Sequence, residues 1–97
     1  MTKRHYTRIE KIDKLNIEYG NLYNQTQLLI TQADILSNDV NSKYLLAKQN
    51  PTKYNVSNYK AALKNYNNLK KQIVRNQNKL VTLEYRCLLE KQKLVYS

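Results

Sequence analysis

From Val40 to Leu83 the chain carries nine lysines and arginines and no carboxylate: Lys43, Lys48, Lys53, Lys60, Lys64, Lys70, Lys71, Arg75 and Lys79. A run of cations without acids does one kind of chemistry well, which is to neutralise a polyanion. Lys60, Lys64, Lys71 and Arg75 recur at helical spacing with Asn67, Asn68 and Asn78 among them. On a helix they share a solvent face of cations and amides that can track phosphates without base-specific geometry. Tyr54 and Tyr59 offer rings that can stack on unpaired bases. The candidate anion-binding set is therefore Lys53, Lys60, Lys64, Lys70, Lys71, Arg75, Lys79 and Tyr54. A plain solvated face fits the same pattern. The chain is also rich in Lys, Asn, Tyr and Ile, residues with A/T-rich codons, which raise the lysine count irrespective of function.

Other chemistry finds no footing. His5 is the only histidine and stands in a basic N-terminal segment, where one imidazole makes neither a metal site nor a triad. Cys87 is the single cysteine and falls on a hydrophobic stripe, the place of a small core residue. Asp34 with Asp39, and Glu84 with Glu90, lack the spacing that sets two carboxylates on one helical face. With one glycine in the chain there is no phosphate-cradling loop. These absences argue against an enzyme and against any metal or cofactor.

The elements that position the cations follow from spacing. Leu15, Leu22, Leu29 and Leu36 fall seven residues apart, interleaved with Ile12, Tyr19, Thr26, Ala33, Val40 and Ala47. Tyr59, Tyr66, Ile73, Leu80, Cys87 and Leu94 form a second stripe with the same period beyond Pro51, the only proline. Two heptad stripes across one turn predict an all-α fold: a long antiparallel, coiled-coil-like helical hairpin, assembling into a helical bundle. The expected single domain spans 1–97, with a first helix over about 6–49, a loop over about 50–57 and a second helix over about 58–95. Asn50-Pro51 starts the loop, and Ser57 is the expected N-cap of the second helix. The polar run 37–42 is poor helix material, so a three-helix bundle with a break there is the alternative. Centred on the loop, the stripes pair Leu36 with Ile73, Leu29 with Leu80, Leu22 with Cys87 and Leu15 with Leu94.

A further row, Val74, Val81, Leu88 and Val95, with Tyr85 beside it, lies well around the second helix from the seam. Monomers rarely expose such a stripe, so it predicts a partner, in the simplest case a second copy giving a homodimer. The net charge of +10 and a pI near 9.8 favour nucleic acid or an acidic protein as the other partner. A leucine-zipper reading fails, because Glu10 and Asp13 interrupt the basic segment before Leu15.

No stretch approaches the ~18 apolar residues of a membrane span. The N-terminal segment lacks the apolar core of a secretory signal, and one cysteine suits a reducing compartment. Together these predict an intracellular, cytoplasmic protein. Three functions fit: a self-associating nucleic-acid binder, an adaptor or inhibitor docking on a protein target, or a structural coiled-coil component. The composition suits a phage or mobile element with an A/T-rich genome.

Overall fold

The computed structural model describes residues 3–96, with side chains from Tyr6 to Tyr96. Two helices account for nearly all of it, α1 over Lys3–Gln49 and α2 over Lys53–Tyr96, and no strand occurs among the described residues. The fold is the all-α helical hairpin that the two stripes predict. The three-helix alternative is overturned, since α1 runs unbroken through 37–42. Its short polar side chains are satisfied within the helix instead of competing with it. The Ser42 hydroxyl donates to the Asn38 carbonyl at 3.1 Å, and Lys43 pairs with Asp39 at 2.8 Å. Val40 meanwhile is buried and anchors the segment from the inside.

The turn is shorter than the sequence suggests. Pro51 cannot donate a backbone hydrogen bond, and α1 stops at Gln49 with the Asn50 amide still donating to the Leu46 carbonyl at 2.8 Å. Thr52, not Ser57, caps α2: its Oγ1 accepts from the Asn55 amide at 3.1 Å. The Asn50 carbonyl accepts twice, from the Thr52 amide and from Asn55 Nδ2, each at 2.8 Å. This clasp makes helix of residues 53–57, which the composition alone assigns to the loop.

Packing divides the chain into two units, a loop half of Gln27–Val74 and a terminal half formed by residues up to Thr26 and from Arg75 onward. In the loop half Ala33, Val40, Ala47, Ala62 and Ile73 are buried, and Tyr44 packs on Tyr59 with ring centroids 5.4 Å apart. In the terminal half Ile12, Leu15, Leu83 and Cys87 form the core, with Tyr19, Leu22 and Leu94 against it. Arg8 Nη1 donates to the Lys93 carbonyl at 2.7 Å, a cation placed on the last turn of α2 where the helix dipole favours it.

These contacts correct the pairing drawn from the stripes. Cys87 packs with Leu15 and donates its thiol to Asn16 Oδ1 at 3.4 Å, where the loop-centred register set it against Leu22. The shift is one heptad. The stripes are also buried unequally: Thr26, Ala33, Val40 and Ala47 are buried, while Leu22, Leu29 and Leu36 are half-buried. In this part of α1 the smaller residues are the buried ones, and Leu22, Leu29 and Leu36 beside them stay partly exposed.

Gly20 lies inside α1 with a helical backbone, and apart from its chain neighbours and the helix's own nearby backbone nothing stands within 4 Å of where a Cβ would be. Gly20→Ala is therefore expected to stabilise the chain by about 1 kcal/mol, read as a raised denaturation midpoint. No change, or a loss, would show that the position is tighter than its surroundings indicate.

Candidate nucleic-acid and partner interfaces

A helix places residues three, four and seven apart on one side. Lys53, Lys60, Lys64 and Lys71 thus share the side of α2 turned from the buried Ala62 and Ile73, and all four are exposed. Lys60, Leu63, Lys64, Asn67, Asn68 and Lys71 line one shallow open depression. No ion pair holds any of these three lysines among the described residues. At 1.5 Å per residue, Lys60 to Lys71 spans about 16 Å. That equals roughly five phosphate steps along one strand of a duplex.

The other predicted cations are disposed differently. Lys70 lies outside the row, with its Nζ 5.3 Å from the centroid of the Tyr66 ring on its own helix, a cation–π contact. Arg75 and Lys79 are exposed but belong to the terminal half. Lys43 is already engaged by Asp39, so the run of nine cations is not wholly free. Tyr54, in the first turn of α2, is 74% exposed and has its ring available. Tyr59 is half-buried against Tyr44 and is not a free stacking platform.

Every residue of the predicted partner stripe is exposed. In the terminal half these are Val81, Tyr85, Leu88 and Val95, and in the loop half Val74. Leu88 also joins a groove of about 260 Å³ with Leu15, Asn16, Tyr19, Leu83, Glu84, Cys87 and Lys91. Tyr19 stacks on Tyr23 beside it, ring centroids 6.3 Å apart and nearly parallel. This is a mostly apolar trough between two helices, with Glu84 and Lys91 as its charged residues, the form that accepts a further helix. Among the described residues no three His, Cys, Asp or Glu side chains come together, and the His5 side chain lies outside the described residues. No described helix is long and apolar enough to cross a membrane.

Sequence reasoning missed a second apolar surface. Leu28, Ile35 and Leu46 of α1 are all exposed on the side turned from Ala33, Val40 and Ala47. Their spacing of seven and eleven is a helical one, but the leucine stripe at the seam draws the eye first.

The class of protein this defines is a two-helix hairpin with one basic outer face and exposed apolar faces. Comparison with known proteins finds no family model, no curated protein and no solved structure that matches this chain.

Proposed function

We propose that this is a non-enzymatic protein that self-associates and binds nucleic acid through the outer face of α2 in its loop half. The observation that carries the reading is the cluster of Lys60, Lys64 and Lys71 around Asn67 and Asn68 in one open depression. Three ammonium groups and the Nδ2 groups of two amides supply donors for an anionic oxygen, and no carboxylate in the lining repels it. Tyr54 at the turn adds a ring for an unpaired base. Self-association is assigned to Val81, Tyr85, Leu88 and Val95, whose exposed side chains want cover.

The test is binding of a short duplex followed across salt concentration. Each phosphate neutralised contributes a log–log slope of about −0.9, so Lys60→Ala, Lys64→Ala and Lys71→Ala together should flatten the slope by about 2.7. A triple variant that keeps both slope and affinity would end the assignment. Val81→Ser with Leu88→Ser should lower the solution mass while leaving the slope of the remaining species intact.

A second reading draws on the groove beside Leu88 and Tyr19. It suits an amphipathic helix of a target protein, as an adaptor or inhibitor would take. In that case the same Val81/Leu88 variant abolishes target binding, and salt has little effect.

A further inference from the structure

We infer that the exposed stripe in the terminal half of α2 takes a second copy of the chain in one arrangement, antiparallel about Leu88 and matched by two Glu84–Lys91 pairs. The inference rests on the self-association assigned to this stripe above and adds what the two copies recognise in each other. Every residue it uses lies in the terminal half. Val81, Leu88 and Val95 are exposed and stand seven residues apart, so the row reads the same from either end, with Leu88 at its centre. At about 100° per residue, Glu84 and Lys91 fall about 40° and 60° to one side of Leu88. Tyr85 and Gln92 fall about 60° and 40° to the other. All four are exposed.

Consider a two-fold axis beside Leu88, at right angles to both paired helices and to the line between them. It reverses the helix direction but leaves each flank on its own side. Glu84 lies four residues before Leu88 and Lys91 three after it, so Lys91 stands within about 1.5 Å of the level of the partner's Glu84. Each copy supplies both charges, and the contact forms twice. On the opposite flank Tyr85 comes level with the partner's Gln92, a hydroxyl beside an amide. A parallel pair does not achieve this. Its two-fold sets like residues level but on opposite flanks, so Glu84 meets the partner's Tyr85 and Lys91 the partner's Gln92, and neither charge is answered.

Within one chain these charges go unused. No ion pair holds Glu84 or Lys91 among the described residues. The positions three and four away from them, Leu80, Val81, Cys87, Leu88, Leu94 and Val95, carry no charge. Both nevertheless line the trough beside Leu88, and no other residue of that lining is charged. An unrelated helix laid there has to bring an anion and a cation at the same spacing and in the reverse order. A second copy brings them by symmetry, which is what an isologous interface requires. Arg86, Glu90 and Lys93 line a separate depression with Lys11 and Lys14, so the other charges between Val81 and Val95 stay out of the contact.

Sedimentation of the intact chain without nucleic acid tests the inference. Glu84→Lys and Lys91→Glu should each raise the dimer dissociation constant about tenfold, because either reversal creates two like-charged contacts per dimer. General repulsion does not produce that result, since the first variant raises the net charge and the second lowers it. An equimolar mixture of the two variants should regain the wild-type constant, and so should the double variant, because both restore opposite charges across the interface. Both positions are exposed, so helicity should be kept throughout. A monomeric wild type, or a dimer that survives Val81→Ser with Leu88→Ser, would end the self-association assigned to the stripe and this arrangement with it. A dimer lost in the Val81/Leu88 variant but indifferent to the charge reversals, or not regained in the mixture, would leave the stripe as the interface and overturn the antiparallel pairing alone.

Discussion

Leu83→Ala is expected to cost about 3 kcal/mol, within the range of roughly 2–5 kcal/mol for truncating a buried leucine. Leu83 is 6% exposed and touches the core that Ile12, Leu15 and Cys87 form in the terminal half, with Tyr19 against it. Among the described residues no third layer of structure lies behind these two helices to slide into the space left. Set against a total of roughly 5–15 kcal/mol for a chain of this length, the loss is large. It should also be local. The loop half has its own buried set in Ala33, Val40, Ala47, Ala62 and Ile73, none of which belongs to that cluster. Amide exchange should therefore accelerate around Val81–Leu89 while protection around Val56–Leu69 holds, and the denaturation midpoint should fall. Equal loss of protection along both helices would mean that the chain opens as one unit, and the local picture would be wrong.

How far the sequence carries can be seen at particular residues. The two helices and their seam were legible because Leu15, Ile73, Leu80 and Cys87 repeat with a period that only facing helices satisfy. The basic row was legible too, since Lys60, Lys64 and Lys71 repeat at spacings a helix aligns. Lys70 and Tyr59 were not, because each is taken up by a ring next to it in space, Tyr66 in one case and Tyr44 in the other. The outer row of α1 was hidden by the seam. Leucines on both sides of one helix blur the single-sided pattern that marks an exposed face, and only the burial of Ala33 and Val40 shows that Leu28 and Ile35 look outward. The register failed for a deeper reason. A heptad stripe slid by seven residues still meets a heptad stripe, so the spacing that predicts the hairpin cannot choose among its registers. The choice falls to the turn.

Thr52→Ala with Asn55→Ala should show that choice being lost. Thr52 holds the start of α2 through the Asn55 amide, and the Asn55 side chain clasps the Asn50 carbonyl. Removing an N-cap hydroxyl costs about 1 kcal/mol, and a lost amide-to-carbonyl bond adds about 1 kcal/mol more. The expected total is roughly 2 kcal/mol, read from the denaturation midpoint. Structure should respond as well as stability. With Thr52 gone, Ser57 is the next residue able to cap α2, so residues 53–56 should fray and exchange their amides faster than those beyond Asn58. A longer loop of that kind is the one for which Leu22 comes level with Cys87. Part of the population should then slip by a heptad, moving Cys87 away from Asn16 and changing its reactivity toward a thiol reagent. Restoring threonine at 52 alone should recover the cap and about half of the stability. If the double variant unfolds at the wild-type midpoint with residues 53–56 still protected, the register is held by the seam itself, and the clasp at the turn is only a consequence of it.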